Sequence, residues 1–300
     1  MSADGGDWEI ELDHPVSLAI ETSFAGEAPS AFGAPQPSSR PLLAPGFSGS
    51  VACGASCNCS TIALTPHCNA THTECAGHLT SQPLDALRIV PVGLIPAVLL
   101  SVTPDPAPDD RIVTRRLLEA AWPREQWPVP ARALVLRTLP NDEAKRHRDY
   151  TDGSAPYLSA EAARALVERG IEHLIVDLPS IDRMSDEGRL AAHRVFFGLP
   201  PGATDLARAA RAQCTITELA YVPDAVPDGE YLLELQIPAL TGDAVPSRPL
   251  LYAAARITQR GRTAASGATR KRARTDGSGA RRKRAHALAR GGARSKHGRR

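Results

Sequence analysis

The chain has 300 residues, of which 42% are apolar and 23% are charged, and its formal net charge is only +2. This balance is typical of a globular protein and excludes a fibrous chain or a bundle of membrane helices. No apolar run reaches the roughly 18 residues of a membrane-spanning helix. The acidic N-terminus lacks the basic and apolar regions of a secretory signal, so we expect a soluble cytoplasmic protein whose six cysteines are thiols.

The small net charge hides two segments of opposite sign. Residues 256–300 contain sixteen Lys and Arg against one Asp, a net charge of +15, whereas residues 1–255 carry −13. The basic segment has too few large apolar side chains to bury, so the sequence predicts one domain at 1–255 followed by a disordered tail at 256–300. Nucleic acid would bind such a tail by charge alone and lose affinity steeply with salt. A solvated extension, or the read-through end of a GC-rich gene, is the competing interpretation.

Hydrophobic periodicity predicts mostly strands and a few helices. In chain order, the expected elements are one or two strands within 8–22, an irregular segment at 25–50, a strand at 60–65, apolar runs of strand length at 87–92 and 99–103, a helix at 112–121, a strand at 131–138, a helix at 160–169, a strand at 172–177, a helix at 190–197, and closing strands at 215–222 and 230–240. Ser159 is a good N-cap for the second helix, and Gly170 is a good stop after it. The pattern predicts a single α/β domain that ends near Ala255.

The chemically informative segment is residues 67–78, His-Cys-Asn-Ala-Thr-His-Thr-Glu-Cys-Ala-Gly-His, which holds three His, one Glu and two Cys. Imidazole, carboxylate and thiolate groups are the side chains that bind divalent transition metals. His72 and Glu74 are two residues apart, so an extended strand would direct both side chains to the same face. The segment therefore predicts a metal site. A structural polar cluster and a redox thiol site are the alternatives.

Four blocks of the chain resemble the metal-dependent cyclase family that includes bacterial kynurenine formamidase and isatin hydrolase. Thr71-His-Thr-Glu74 followed by His78 resembles the family signature H-x-G-T-H-x-D-x-P-x-H. Asp177-Leu-Pro-Ser180-Ile-Asp182 resembles the segment D-x-x-S-x-D, Ala191-Ala192-His193 resembles the family's A-H, and Thr217-Glu218-Leu219 is similar to its end region. The blocks occur in the family's order and span most of the predicted domain.

The sequence also departs from the family signature. Glu74 stands where the family has Asp, and Ala70 and Ala76 replace its Gly and Pro. Strict spacing puts Cys68 at the first ligand position, whereas His67 would reach that place if the backbone bulged by one residue. Thiolate and imidazole both bind zinc, so both residues remain candidates for the first ligand. His67 is preferred because an imidazole and carboxylate set suits a hydrolytic ion.

The resemblance implies a swivelling β/β/α domain with a mixed barrel-like sheet, a homodimer, and one or two Zn²⁺ or Mn²⁺ ions per chain. It implies one ion on His72, Glu74 and Glu218, and another on His67 or Cys68 together with Glu74, His193 and Glu218. The two glutamates would then bridge the ions. His78 would lie outside the ligand set as a general acid/base, and Ser180 and Asp182 would orient neighbouring groups.

Such a site implies a hydrolase in which metal-activated water attacks an amide carbonyl and His78 protonates the departing nitrogen. N-formylkynurenine is the best-known substrate of the family, so the first hypothesis is an arylformamidase that acts on a small aromatic amide. The second is hydrolysis of another cyclic amide or ester, as in isatin hydrolase. The third is a non-catalytic relative that binds a metal or ligand, but a pure binding site has no need of His78.

Overall fold

The structure is a computed structural model that describes residues 2–3, 6–108, 110–123, 130–153 and 155–256. The predicted basic tail lies outside the described residues, apart from its first residue, Arg256. The strands are β1 (Ser2–Ala3), β2 (Gly6–Ile10), β3 (Val16–Ser17), β4 (Ser38–Pro41), β5 (Leu43–Ala44), β6 (Phe47–Ser48), β7 (Ser60–Ala63), β8 (His72–Glu74), β9 (Ile95–Val102), β10 (Asp105–Ala107), β11 (Asp110–Val113), β12 (Ala133–Thr138), β13 (Tyr157–Leu158), β14 (His173–Val176), β15 (Thr215–Glu218), β16 (Gly229–Gln236), β17 (Ala244–Pro246) and β18 (Arg248–Arg256).

Five short α-helices and four 3-10 turns accompany these strands in the described part of the chain. The helices are α1 (Pro66–Asn69), α2 (Ala86–Ile89), α3 (Arg115–Ala121), α4 (Ala160–Glu168) and α5 (Ala191–Phe197), and the 3-10 turns are Val51–Cys53, Ala76–Leu79, Glu143–Arg146 and Leu206–Arg208. Within the described residues, no helix has both the length and the apolar character needed to cross a membrane.

In the described part of the chain, eleven strands form one mixed sheet, in the order β1-β2-β18-β16-β9-β12-β14-β15-β8-β17, with β3 pairing to β18. The neighbours β9, β12, β14 and β15 run parallel, whereas the remaining pairs of this sheet are antiparallel. Three smaller sheets contain β10-β11-β13, β4-β7 and β5-β6. The predicted α/β fold with a large mixed sheet is therefore confirmed.

The parallel strands at the centre of the sheet are buried on both faces. Every residue of β12 and β14 is buried, as expected when a continuous apolar run enters a parallel sheet. On one face, Leu136 belongs to a cluster with Leu166 of α4 and Phe196 of α5. On the other face, Val135 belongs to a second cluster with Leu251 of β18. The helices thus cover one face of the sheet, and on the other face the central strands share an apolar cluster with antiparallel strands of the same sheet.

Helix α4 begins and ends where the sequence predicts. Ser159 Oγ accepts a hydrogen bond from the Ala162 N–H at 3.1 Å. Gly170 follows the helix with φ of +77°, a left-handed conformation that favours glycine because it has no Cβ. Both signals are local, which is why the sequence alone could reveal them.

Other expectations fail in part. The apolar run at 87–92 is wrong as a strand, because its first residues belong to helix α2 and the Val90 N–H donates to the Ala86 carbonyl at 2.9 Å. The segment at 25–50 contains the short strands β4, β5 and β6 rather than being wholly irregular. Strands β17 and β18 were not predicted at all. Strand β17 pairs with β8, which is far away in the chain, so the local sequence gives no signal for it.

The carboxyl ends of β12, β14 and β15 lie at one edge of the parallel part of the sheet. β15 ends at Glu218, and its antiparallel pairing with β8 places Glu218 directly opposite His72. Opposite residues of paired strands have neighbouring side chains. In open α/β sheets, ligands bind beyond the carboxyl ends of the strands. The sheet therefore positions the predicted site residues at the edge where a site is expected.

Candidate metal centre

Strand β8 carries two of the predicted ligands, His72 and Glu74, both of which are completely buried. The Nδ1–H of His72 donates to the Ala70 carbonyl oxygen at 3.0 Å. Since a carbonyl can only accept, this bond leaves Nε2 with an unprotonated lone pair in the neutral ring. Nε2 has no hydrogen-bond partner. It lies 3.6 Å from Glu218 Oε2 and 4.0 Å from Glu74 Oε2.

His193 lies in the first turn of α5, where the Asp182 carboxylate holds it in place. The Asp182 carboxylate accepts hydrogen bonds from the backbone N–H of Ala192 at 2.7 Å, from the backbone N–H of His193 at 3.1 Å, and from its ring Nδ1–H at 2.7 Å. Such carboxylate–histidine pairs orient the imidazoles that bind metals. The free Nε2 of His193 lies 2.9 Å from Glu74 Oε1 and 3.4 Å from Glu218 Oε1, without a hydrogen bond to either.

The unpaired donor atoms provide the test of whether a metal ion fits. Both carboxylate oxygens of Glu74 are buried and accept no hydrogen bond. A buried carboxylate without a hydrogen bond is unfavourable, so a cation beside Glu74 would stabilise the site. Two ligands of a tetrahedral ion, each about 2.0–2.1 Å from it, lie about 3.4 Å apart. The donor pairs around Glu74 and Glu218 are 2.9–4.0 Å apart, which fits a divalent transition metal.

Among the residues that the structure describes, two groups of side chains have metal-ligand spacing. One contains His72, Glu74 and Glu218, the other contains His67, Glu74 and His78, and the ligand atoms of each group lie within 4.8 Å of one another. Glu74 belongs to both groups, in keeping with the expected bridging role. His67 Nε2 lies 3.6 Å from Glu74 Oε2, and its ring stacks on that of His78 with 4.5 Å between centroids. The structure thus brings His67, His72, Glu74, His78, His193 and Glu218 together, while their individual roles stay predictions.

Cys68 lies next to His67 on α1 and is buried. Among the described residues, it belongs to neither of the two groups with metal-ligand spacing. Burial, reinforced by the Glu218 carboxylate, raises the pKa of its thiol, which opposes formation of the thiolate that binds a metal. These observations favour His67 over Cys68 as the first ligand.

The charged groups of the site perturb one another. Burial lowers the pKa of His193, but the Glu74 carboxylate and the hydrogen bond to Asp182 outweigh burial and raise this pKa well above its ordinary value. Burial raises the pKa of Glu218, but the imidazoles of His193 and His72 outweigh burial and hold this pKa far below its ordinary value. Burial alone would lower the pKa of His78. The Glu74 carboxylate and the hydrogen bond to Asp243 outweigh burial, so this pKa lies above its ordinary value. The site therefore attracts positive charge.

Asp243 is the residue of this site that the sequence did not predict. Its Oδ2 accepts a hydrogen bond from His78 Nδ1 at 3.3 Å and lies 3.1 Å from His67 Nε2. These two imidazoles, His67 first, hold the pKa of the Asp243 carboxyl well below its ordinary value. Asp243 directly precedes β17, which pairs with β8. The local sequence Thr-Gly-Asp signals only a turn, so nothing near it in the chain indicates a place in the site.

The fold and the site together define a mixed α/β protein with a buried His/Glu cluster suited to a divalent metal. The sequence profile of the family described as "Putative cyclase" matches residues 10–183. The chain belongs to this cyclase family, which confirms the resemblance of its motifs.

Solved structures share the fold at low sequence identity. A predicted metal-dependent hydrolase from Bacillus stearothermophilus is 20% identical with a TM-score of 0.52, over 82% of this chain and 99% of that one. Isatin hydrolase A from Labrenzia aggregata, bound to benzyl benzoate, is 17% identical with a TM-score of 0.55, over 80% of this chain and 93% of that one. A structure described as a novel cyclase is 14% identical with a TM-score of 0.56, over 81% and 89%. A search of curated proteins found no match.

Proposed function

We propose that this protein is a metal-dependent hydrolase of a small aromatic amide of the N-formylkynurenine type, an arylformamidase. The observation that carries this proposal is the set of buried donor atoms on His72, Glu74 and His193 that face one another without hydrogen bonds. Membership of the cyclase family supports the reaction class. The preference for an N-formyl amide rests on the likeness of residues 71–78 to the kynurenine formamidase signature.

We assign Zn²⁺ or Mn²⁺ as the cofactor, one or two ions per chain, because both accept imidazole and carboxylate ligands. His72, Glu74 and Glu218 would hold one ion, and His67, Glu74, His193 and Glu218 would hold the other. When bound, such an ion lowers the pKa of water and polarises a carbonyl oxygen. Asp182 and the Ala70 carbonyl contribute by accepting the Nδ1–H of His193 and of His72, which directs the Nε2 atoms of both rings at the carboxylates.

His78 is the proposed general acid/base. Its side chain is 29% exposed, unlike the fully buried His72, so a substrate can reach its ring. The departing nitrogen of an amide needs a proton, and an imidazole beside the reacting carbonyl can deliver it. His78 also lies next to the ligand cluster, since its ring stacks on that of His67. This position suits proton transfer better than a buried ligand role.

Hydrolysis of a cyclic amide or ester is a second candidate, favoured by the fold shared with isatin hydrolase A. The same side chains would serve both reactions, because each needs an activated water and a proton for the leaving group. The two candidates differ in whether the cleaved bond is linear or lies in a ring. Parallel assays with N-formylkynurenine and isatin distinguish them.

The test begins with the metal content of the protein, purified without chelators and measured by elemental mass spectrometry. We expect one or two zinc or manganese ions per chain, and hydrolysis that stops on chelation and returns when the metal is restored. A protein that takes up neither metal would contradict the proposal and leave a binding role as the better account. We also propose a homodimer, as the resemblance implies, which light scattering would test.

A further inference from the structure

Two imidazoles of the site contact a carboxylate through Nδ1. His193 uses Asp182 at 2.7 Å, and His78 uses Asp243 at 3.3 Å. The first pair is buried, whereas in the second the His78 side chain is 29% exposed and that of Asp243 is 40% exposed. The same chemical arrangement therefore occurs once at a proposed ligand and once at the proposed acid/base.

The loop that carries Asp243 is held by contacts that do not involve the histidines. The Gly242 N–H donates to Asp85 Oδ1 at 2.9 Å, and the Gly242 carbonyl accepts from the Ala86 N–H at 2.8 Å. The Asp243 carbonyl accepts a hydrogen bond from the Cys75 N–H at 3.0 Å. The backbone of Asp243 is therefore anchored on both sides, and its carboxylate is presented at a defined place.

Gly77 allows this loop to approach His78 closely. A Cβ atom at position 77 would lie 2.5 Å from the Leu84 carbonyl oxygen and 3.1 Å from Asp243 Cβ. The first distance is a severe overlap with the backbone at Leu84, and the second is tighter than an ordinary contact with Asp243, so a larger residue would displace both segments. Close packing of this kind transmits small displacements to the neighbouring side chains. Steric contacts therefore favour a glycine next to His78, and one of these contacts is with Asp243 itself.

We propose that Asp243 is a positioning residue that orients His78 for proton transfer. The inference rests on the proposed function, in which His78 is the acid/base. Because the carboxylate accepts the Nδ1–H, it restrains the ring and leaves Nε2 as the nitrogen that exchanges a proton with the substrate. The carboxylate also lies 3.1 Å from His67 Nε2, so the competing role for Asp243 is that of a metal ligand.

The tautomer of His78 gives a readout that is independent of activity. Protein labelled with ¹⁵N-histidine is examined by NMR at alkaline pH, where the ring is neutral, and His78→Gln identifies the signals of His78. We expect the Nδ1–H tautomer in the wild type and in Asp243→Asn, whose amide oxygen can still accept a hydrogen bond from Nδ1–H, and its loss in Asp243→Ala. An Nδ1–H tautomer that persists in Asp243→Ala would overturn the proposal.

Steady-state kinetics and metal content separate positioning from metal binding. In Asp243→Ala we expect kcat to fall about 10-fold or more, with KM changed little and the metal content intact, and partial recovery in Asp243→Asn. Loss of metal from Asp243→Ala would instead make Asp243 a ligand and overturn the proposal. Asp85→Ala is the matched control, because it loosens the same loop without touching His78. An equal effect of Asp85→Ala on the tautomer and kcat would show a merely structural role.

Failure of the proposed function would be recognised separately. If the wild type hydrolysed neither N-formylkynurenine nor isatin, the reaction assigned above would be wrong. The tautomer of His78 in the wild type and in Asp243→Ala would still decide whether Asp243 controls the ring.

Discussion

Replacing Asp182 by Ala tests how the protein prepares His193 for a metal. The Asp182 carboxylate accepts two backbone N–H groups at the start of α5 and the Nδ1–H of His193, at 2.7–3.1 Å. All three donors belong to buried residues. The substitution therefore removes a helix cap and the restraint on a proposed ligand in one step, without touching a proposed ligand atom.

The expected magnitude follows from these contacts. A lost helix cap costs about 1 kcal/mol, and a buried donor left without an acceptor costs about 1–3 kcal/mol. The three hydrogen bonds to Asp182 are coupled, because one carboxylate accepts all of them, so their losses do not simply add. We expect the free energy of unfolding of the metal-free protein to fall by about 2–4 kcal/mol in Asp182→Ala. Zinc affinity should fall about 10–100-fold, the usual effect of losing a carboxylate behind a ligand histidine.

Urea denaturation of the metal-free protein and competition titration with a zinc chelator measure the two effects. Asp186→Ala is the matched control, since the Asp186 carboxylate accepts the N–H groups of Gly188 and Leu190 just before α5 but does not contact His193. The control should lose stability while keeping its zinc affinity. Equal zinc affinity in the wild type and Asp182→Ala would refute the reasoning that Asp182 prepares His193 for a metal.

Three further predictions concern other histidines. His72→Ala should lower metal occupancy in elemental mass spectrometry, and unchanged occupancy would remove His72 from the ligand set. His78→Ala should keep its metal while turnover falls about 10²-fold or more, and full activity would rule out the acid/base role. Burial lowers the pKa of His173 from its ordinary 6.5 to about 4. The unfolded state therefore binds more protons between these values, and stability should fall by up to about 3 kcal/mol as pH drops from about 6.5 to about 4. Urea denaturation across this pH window should show a weaker pH dependence in His173→Gln than in the wild type, and equal slopes would contradict the prediction.

The sequence alone was informative wherever the signal was local. Ser159 and Gly170 predict where α4 begins and ends. The continuous apolar runs of β12 and β14 predict buried strands. The segment at 67–78 predicts a metal site because its donor side chains are close in the chain. Its likeness to the cyclase family then predicted which distant residues, His193 and Glu218 among them, would join it.

The pairing of distant strands decided the rest. Glu218 meets His72 because β15 and β8 pair in one particular register, and a shift of one residue would turn Glu218 to the other face. Asp243 enters the site because β17 pairs with β8 beside it, although it lies 165 residues after His78. Hydrophobic periodicity does not specify which strands become neighbours.

Burial and hydrogen bonding also required the folded chain. The spacing of the motif left His67 and Cys68 as alternatives, whereas the structure brings His67 close to Glu74 and buries the Cys68 thiol outside the two groups of donors. The sequence by itself thus determined which side chains are available for metal chemistry. Only the tertiary structure decided which of their lone pairs converge, because that depends on strand register, on the cap of α5, and on the backbone carbonyl that fixes the ring of His72.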